Sequence, residues 1–520
     1  MIGPLSPIDP LALAPPWLLA QGAGLLPVVP LLVGAALAVL PSRDTGRSLA
    51  WFAAVLTTGA LSLVALLVCW QVWTGGPFVY AMGGWEPPRG ITLDLNAATA
   101  PVALLILLMA VATLAFARRA VVAEIEPKKR AATYGAFLIV LAGLVGIALT
   151  GDAFNAFVFI EISSIPTYVL VAMGAARDRR ALASAFNYLI LGSIGATFFV
   201  IGIGFLFAET GTLNMNEMRE LLARADGGSR VAQVGFAFIV IGLGLKLAMW
   251  PLHTWLPGAY AFAPTFVTAF LASTATKAAF LILVRFVFTV FDIGMDYVAA
   301  LVAYGITSLA VAAMCVGSFQ AIFQTDARRA LAYSSVAQIG YMLLGVGIAT
   351  AAGLAAGWLH LVNHAVVKGG LFIALGTFWY RFGITRVSDF AGLGKLMPWT
   401  MWGFTVCALG LIGVPFTAGF ISKLALATAA AERGWWWALA VIVFSSVLAI
   451  VYLGRILLVA FFQPPPANAH RDGVLLRMEG TPLMAIALWS LATANILIGT
   501  FPEGLSAAAD AAGLALAGGG

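Results

Sequence analysis

Seven titratable side chains lie inside stretches of this sequence that are otherwise apolar, and their residue types suit proton transfer. They are Glu161, Lys246, Lys277, His360, His364, Lys368 and Lys423. An ionisable group at mid-bilayer costs roughly 2.5–3.5 kcal/mol on insertion scales and is retained where it faces a partner or a wet cavity. Because these groups are spread over several apolar segments, the pattern predicts a path for protons or cations.

Two of these groups are predicted to pair. Glu161 lies in FNAFVFIEISSIPTYVL and Lys246 in FAFIVIGLGLKLAMWP, both far from polar loops. Each is costly to bury alone, so we predict an ion pair, which either ties two helices together or separates during transport. Lys277 stands at the middle of its segment, which favours a buried site. Arg285, eight residues further on, is nearer the helix end and is predicted to be an interfacial anchor.

A third group shares one helical face. His360, His364 and Lys368 follow each other at four-residue spacing, which places them on one face over roughly 12 Å. Histidine suits a relay group because it titrates near neutral pH. Two histidines at this spacing can also bind zinc, but HEXXH and a nearby acidic residue are both missing, so we predict no metal site. His253, in WPLHTWLP, either shuttles protons or caps exposed backbone.

The composition is that of an integral membrane protein. Hydrophobic residues make up 62% of the chain and charged residues 10%, and the mean hydropathy is +1.00. The basic residues stand in short loops, so the net charge of +6 is interpreted as a topology signal rather than as nucleic-acid binding. The three cysteines are isolated, which gives no support to disulfides or metal clusters. The N-terminal segment lacks the cationic start of a cleavable signal peptide.

Apolar runs long enough to cross a bilayer, about 20 residues each, predict an all-α protein with about 14 transmembrane spans. They lie near 20–40, 50–73, 97–117, 131–150, 153–176, 182–208, 232–257, 264–291, 295–316, 328–350, 352–379, 398–431, 435–462 and 481–501. The polar stretches around 209–230 and 463–480 are predicted to be loops. Of the 22 loop arginines and lysines, 17 follow odd-numbered spans. This bias predicts that odd loops face the cytoplasm of a bacterial-type inner membrane and that both termini lie outside.

Prolines break two spans at related places. WPLHTWLP interrupts the seventh span and GVPFTAGF the twelfth, and Lys246 precedes the first break whereas Lys423 follows the second. A broken span is tolerated where it is buried or lines water, and paired breaks point to a transport path. We predict spans 1–3 over 1–130, a five-helix repeat over 131–291, a second, inverted repeat over 295–462, and a loop, span 14 and a short tail over 463–520.

Four segments carry a family resemblance over nearly the whole chain. They are KLAMWPLHTWLPGAYAFAPTFVTAFLASTATKAAFLILVRF, LAYSSVAQIGYMLLGVG, LHLVNHAVVKGGLF and GVPFTAGFISK. They resemble the proton-conducting membrane subunits of respiratory complex I, Mrp-type cation/proton antiporters and membrane-bound hydrogenases. The resemblance implies 14 helices with inverted repeats. It also implies Glu161 and Lys246 as a helix 5/helix 7 pair, Lys277 as the central site, His360, His364 and Lys368 as relay groups, and Lys423 as the terminal site.

Within that superfamily, WLPGAYAFAP and STATKAAF are most similar to the D-type subunit of Mrp antiporters. The missing histidine before Lys277 favours the same reading. The terminal lysine is shared by the D-type subunit and several complex I members and argues against the complex I type with a glutamate there, and the ending at 508–520 without a long lateral helix argues against the largest members. The predicted function is proton translocation in a Na+/H+ antiporter, with a complex I-type proton-pumping subunit as the alternative. Predicted partners are other membrane subunits, H+, Na+ in the antiporter case, and lipid.

Two other classes of function fit the sequence less well. A redox enzyme in its own right has no nucleotide fingerprint, haem ligand pair or cluster cysteines behind it, so we predict no cofactor and no catalytic site in this chain. Any dehydrogenase activity would belong to the complex. A scaffold that has lost conduction is expected to lack several of the buried charges, and here all of them are present.

Overall fold

A computed structural model describes residues 11, 14–39, 44–224, 229–466, 470–471, 474–475 and 478–518. The first ten residues and the predicted loop residues Arg43 and Arg477 lie outside the described residues. Thirteen helices in the described part are long and apolar enough to cross a membrane. The predicted twelfth span is present as two shorter helices, so the count of about 14 spans is confirmed.

The membrane helices are numbered here by the span they form. They are α1 Pro16–Val39, α2 Asp44–Gly75, α3 Thr99–Glu124, α4 Arg130–Leu149, α5 Ala153–Ala172, α6 Arg180–Thr210, α7 Arg230–Leu247 with Trp255–Phe262, α8 Thr265–Val284, α9 Thr307–Ile322, α10 Ala327–Ile348, α11 Ala351–Phe382, α12 Pro398–Ile412 with Ala418–Glu432, α13 Trp436–Phe462 and α14 Pro482–Thr500. A π-helical turn, Arg285–Val290, extends α8, and α9 is preceded by Asp296–Ala300 and a second such turn, Leu301–Ile306.

Shorter elements occupy the segments between spans. An antiparallel hairpin of β1 Phe78–Ala81 and β2 Thr92–Leu95 precedes α3, and a small one of β3 His470–Arg471 and β4 Val474–Leu475 precedes α14. The other elements are the helices Met215–Arg224, Leu393–Leu396 and Glu503–Leu516, and the 3-10 turns Met82–Gly84, Pro127–Lys129, Met173–Ala176 and Val387–Phe390.

Three segments predicted to be loops or a short tail contain regular secondary structure. The expected loop at 209–230 contains Met215–Arg224, which buries Met215, Met218 and Leu222 on one face. The expected loop at 463–480 contains β3 and β4. The tail after α14 is helical and packs on α11, with Gly513 so close to the carbonyl of Ala351 that a side chain would collide with it. Hydropathy misses such elements because they are short and only half apolar.

Burial separates an inner group of helices from an outer one. Protein encloses the most apolar part of α8 and α11 completely and that of α10 almost completely, whereas α2, α6 and α13 expose most of theirs. The inner helices α8, α10 and α11 pack on one another, and α3, α12 and α14 pack around α11. The predicted division into two inverted repeats stays a prediction.

Candidate functional site

The first helix break places Lys246 in the last turn of the first half of α7. The helix ends where Ala248 takes a left-handed conformation (φ 61°). The indole of Trp255, at the start of the second half, donates a 2.9 Å hydrogen bond to the carbonyl of Leu245, which also accepts the backbone N–H of Ala248 at 3.2 Å. The Lys246 ammonium is therefore available for another helix. It donates to the Ser164 hydroxyl on α5 at 2.5 Å.

The predicted direct ion pair between Glu161 and Lys246 is not formed. No salt bridge in the described part of the chain joins them. Lys246 bonds instead to Ser164, about one turn further along α5 and fully buried, while Glu161 is half-buried. The two charges still interact electrostatically. Hydropathy and residue type predicted that both residues lie inside spans, but not that the Ser164 hydroxyl is the partner of Lys246.

Lys277 lies at the centre of the bundle and is fully buried on α8. Its ammonium donates to the carbonyl of Ala272 at 2.5 Å and contacts the Thr276 hydroxyl at 3.4 Å. Both partners belong to α8 itself. In the described structure, therefore, no hydrogen bond ties this ammonium to another helix.

The polar face of α11 contacts its neighbours as the four-residue spacing predicts. The rings of His360 and His364 lie 6.4 Å apart and nearly parallel. His360 is hydrogen-bonded on both sides, to Ser422 of α12 at 3.0 Å and to Gln338 of α10 at 2.9 Å. Lys368, one further turn along, is fully buried and is held separately by α10.

The partners of Lys368 are an α10 carbonyl and a hydroxyl. Its ammonium donates to the carbonyl of Leu331 at 2.6 Å and to the Ser334 hydroxyl at 2.5 Å. His364 differs from both of its neighbours on this face, since neither of its ring nitrogens has a hydrogen-bond partner among the described residues although the side chain is buried. It interacts electrostatically with Lys277, Lys368 and His360. Buried polar groups without a protein partner are commonly hydrogen-bonded to buried water.

The second helix break places Lys423 in the second half of α12. Its ammonium donates to the carbonyls of Leu411 and Ile412, at 3.1 and 2.7 Å, which the break has freed. It also donates to Ser446 of α13 at 3.0 Å. Gly413 forms the break with φ 89°, and a side chain there would collide with that of Lys423.

Tyr341 of α10 joins the second break to the histidine face. Its ring lies 5.2 Å from that of His360, and the Lys423 ammonium lies 4.8 Å from the same ring. The tyrosine hydroxyl reaches Ser446 at 3.2 Å. The structure therefore brings Lys277, His364, His360 and Lys423 into one region, which we call the central row, with Lys368 beside it. Lys246, Ser164 and Glu161 form a second region, the α5–α7 site.

His253 belongs to neither region. Its ring lies 6.3 Å from that of Tyr333 on α10, and its Nδ1 is buried without a partner among the described residues. Sequence reasoning also missed the polar side chains that contact the titratable ones, namely Ser164, Ser334, Gln338, Tyr341, Ser422 and Ser446. A signal existed for some of them, because SSIPTY and LAYSSVAQIGY are polar runs inside apolar spans.

Buried charges also lie at the two faces of the bundle. On the face of the odd-numbered loops, Glu124 at the end of α3 contacts Arg177 at 3.2 Å. It also accepts the backbone N–H of Thr265 at 2.9 Å and the hydroxyl of the same residue. Arg177 and the buried Arg328 both donate to carbonyls of the turn 261–263. We call Glu124, Arg177, Thr265 and Arg328 the odd-face cluster.

On the opposite face, Arg285 forms a 2.7 Å ion pair with Asp94 of β2 and donates to the carbonyl of Thr150 at 2.5 Å. Arg285 is 3% exposed, so the predicted interfacial anchor is wrong. Burial raises the pKa of Asp94, and the charge of Arg285 opposes that shift. We call Asp94 and Arg285 the even-face pair. Even loops therefore meet on one face and odd loops on the other, as alternate crossing requires.

This architecture defines a polytopic membrane protein with titratable groups enclosed among its helices. A family model described as NADH:quinone oxidoreductase/Mrp antiporter, TM, matches residues 150–449. The NADH-quinone oxidoreductase subunit N of Desulforudis audaxviator is 37% identical over 92% of this chain and 95% of its own length. The D-type subunit of the Na(+)/H(+) antiporter of Alkalihalophilus pseudofirmus is 29% identical over 78% of this chain and 80% of its own.

A solved structure extends the comparison to the fold. A chain of the membrane-bound sulfane sulfur reductase, an archaeal respiratory membrane complex, superposes with a TM-score of 0.87 and 32% identity, covering 96% of this chain and 98% of that one. This chain belongs to the NADH:quinone oxidoreductase/Mrp antiporter transmembrane family. It is an antiporter-like membrane subunit, and the resemblance inferred from its sequence is confirmed.

Proposed function

We propose that this chain translocates protons within a multisubunit membrane complex, through the central row and the α5–α7 site. The observation that carries the proposal is His364, a buried imidazole between Lys277 and His360 whose two nitrogens have no partner in the described structure. An imidazole can accept a proton on one nitrogen and release it from the other. His364 therefore suits a relay between Lys277 on α8 and His360 in the first half of α11.

The next steps follow the contacts already described. His360 is hydrogen-bonded to Ser422 and Gln338, which orient its ring toward Tyr341 and the second break. Lys423 stands at that break, where the backbone leaves the helix and water can enter. Because these groups lie close together, their proton affinities belong to the set rather than to single residues.

The α5–α7 site supplies the control element of the proposal. Lys246 is bonded to Ser164, whose hydroxyl can both donate and accept a hydrogen bond. Movement of Lys246 toward Glu161 would favour its charged form, and movement away would favour proton release. Among the described residues Lys277 hydrogen-bonds only within α8, so a proton passing between it and this site would require water.

As to the complex, we infer an Mrp-type Na+/H+ antiporter with this chain in the position of the D-type subunit. Support comes from the segments WLPGAYAFAP and STATKAAF and from the relative named as the D-type subunit of a Na(+)/H(+) antiporter. A complex I-type proton pump is the second candidate, favoured by the 37% identical relative named NADH-quinone oxidoreductase subunit N. Everted vesicles distinguish the two: added Na+ collapses a pH gradient in the first case, and quinone-linked electron transfer builds one in the second.

The test of conduction is proton flux in the reconstituted complex. Lys277→Ala should lower flux on the order of a hundredfold, the size of a lost general acid–base group. Lys277→His should keep part of it because a histidine still titrates. Lys395→Ala, at an exposed loop lysine, is the matched control. Normal flux in both Lys277→Ala and Lys423→Ala would show that these charges are structural.

Orientation is proposed from the loop charges alone. The 17 basic residues in odd-numbered loops favour a cytoplasmic odd face and termini outside the cytoplasm. Cysteine labelling of the 118–130 loop from either side of intact cells tests this. Labelling from the outside would reverse the proposed orientation.

A further inference from the structure

The N-terminus of α8 is held by the carboxylate of Glu124. Glu124 accepts the backbone N–H of Thr265, the first residue of α8, at 2.9 Å, together with its hydroxyl. A carboxylate at a helix N-terminus accepts hydrogen bonds from free N–H groups, and its negative charge interacts favourably with the positive end of the helix dipole. Arg177 contacts the same carboxylate, and Arg328 binds the preceding turn. The odd-face cluster thus fixes where α8 begins.

The other end of α8 is held by a second carboxylate. Arg285 follows directly after Val284 and pairs with Asp94 at 2.7 Å. Both side chains are buried, so separation would leave an uncompensated charge inside the protein. The two residues at which α8 is held, Thr265 and Arg285, are 20 residues apart, or roughly 30 Å along the helix axis.

Both carboxylates belong to α3 or are anchored to it. Glu124 is the last residue of that helix, and the backbone carbonyl of Asp94 accepts the hydroxyl of Thr99, its first residue, at 2.6 Å. The helices α3 and α8 pack on each other in opposite directions. The helix α3 therefore holds α8 at both ends. The sequence does not indicate this, because the paired groups are far apart along the chain.

The fixed position of α8 matters because Lys277 lies between the two held ends of this helix. Lys277 hydrogen-bonds only to Ala272 and Thr276 of its own helix in the described structure. Its position relative to His364 and Lys368 is therefore set by the axial position of α8 and not by a hydrogen bond to α11.

We infer that α3 acts as a clamp, in which Asp94 and Glu124 hold the two ends of α8 and thereby set the height of Lys277 against the polar face of α11. Asp94 and Glu124 are then positioning residues for proton transfer. The inference rests on the proposed function, since the clamp serves transport only if Lys277 takes part in it.

The experiment compares buried with exposed carboxylates in the whole assembled complex. Asp94→Asn and Glu124→Gln remove one charge at each end of α8. Glu86→Gln, on the exposed hairpin turn, and Glu126→Gln, two residues beyond Glu124 and exposed, are the matched controls. A charge exchange, Asp94→Arg with Arg285→Asp, tests whether the pair itself is what matters.

Two readouts are needed, amide hydrogen exchange of α8 and the pH profile of proton flux. We expect severalfold faster exchange over 265–285 in Asp94→Asn and Glu124→Gln, with α13 unchanged as internal reference. Flux should fall about tenfold with a displaced pH midpoint, because the surroundings of Lys277 change. Both controls should match the parent, and the charge exchange should recover part of the flux lost in Arg285→Asp.

Unchanged exchange in α8 would overturn the clamp. Faster exchange with normal flux would also overturn it as a device for transport, provided that Lys277→Ala still abolishes flux. If Lys277→Ala conducts normally as well, the proposed function fails first, and the exchange data still report whether α3 holds α8.

Discussion

The two helix breaks solve the same backbone problem with different side chains. At the break in α7 the carbonyl of Leu245 is capped by the indole of Trp255, a neutral donor, beside the backbone N–H of Ala248. At the break in α12 the freed carbonyls of Leu411 and Ile412 are capped by the ammonium of Lys423 itself. The titratable lysine is thus part of the backbone cap at the second break only.

This difference sets the electrostatics of each lysine. Carbonyls at a helix C-terminus carry a partial negative charge that favours a cation, so the backbone stabilises the charge of Lys423. The Lys246 ammonium bonds instead to the neutral hydroxyl of Ser164. The carboxylate of Glu161 is half-buried and forms no salt bridge with Lys246 in the described structure. A side-chain movement can therefore modulate the first lysine, whereas the second responds to the geometry of the break.

The largest effects are expected at Lys423, where substitutions can separate capping from titration. Lys423→Ala loses both and should lower proton flux on the order of a hundredfold. Lys423→Arg keeps a permanent cation against the carbonyls but does not release protons. We therefore expect Lys423→Arg to assemble and unfold like the parent while its flux stays low. Flux near the parent level in Lys423→Arg would assign this residue to capping alone.

Glu161→Gln removes the carboxylate that only the first break possesses. Because Glu161 makes no salt bridge in the described structure, assembly should survive, with a stability change below about 1 kcal/mol. Flux should fall about tenfold, since Lys246 loses the charge that modulates it. The measurement is flux per assembled complex in vesicles. Full transport would remove Glu161 from the mechanism.

Ser164→Ala tests whether the hydroxyl contact tunes Lys246. The ammonium would lose its partner on α5 and move closer to Glu161, so we expect a severalfold loss of flux that Ser164→Thr partly restores. Ser163→Ala is the matched control, because among the described residues that hydroxyl bonds only to the carbonyl of Ile160 in its own helix. Equal losses in both alanine variants would indicate a general packing effect on α5.

Among these variants, Trp255→Phe should change proton flux least. It tests the role of the neutral cap. The carbonyl of Leu245 would lose its indole donor but keep the backbone N–H of Ala248 at 3.2 Å, so the expected cost is that of one hydrogen bond, about 0.5–1.5 kcal/mol of stability. The stacking on Tyr188, with ring centroids 4.0 Å apart, would be retained. We expect a lower thermal unfolding temperature with flux within about threefold. Trp73→Phe, on the exposed face of α2, is the control.

Some of these features could be predicted from the sequence and others could not, for physical reasons. Hydropathy and proline positions predicted the spans and both breaks, because bilayer thickness and the missing proline N–H act locally along the chain. The four-residue spacing likewise predicted that His360 and His364 share a face. The half-exposed position of Glu161 and the role of Ser164 depend on how α5 rotates against α7, which no local pattern fixes.

Arg285 shows the same limit more clearly. Its place near a helix end predicted an anchor at the interface, yet it is buried against Asp94, 191 positions earlier in the chain. A hairpin of two four-residue strands, β1 and β2, brings that carboxylate to α8. Elements of this length leave too weak a pattern in an apolar sequence to be predicted.

The enclosure of α8 and α11 has a consequence for the lipid environment. At 32 residues α11 is roughly 48 Å long, well beyond the hydrocarbon core of about 30 Å. A lipid-facing helix of this length would tilt or deform the bilayer to relieve hydrophobic mismatch. Because protein encloses the most apolar part of α11 completely, we expect the outer helices α2, α6 and α13 to absorb changes in bilayer thickness. The titratable interior is thus insulated from acyl-chain length, and thin and thick membranes should support similar rates.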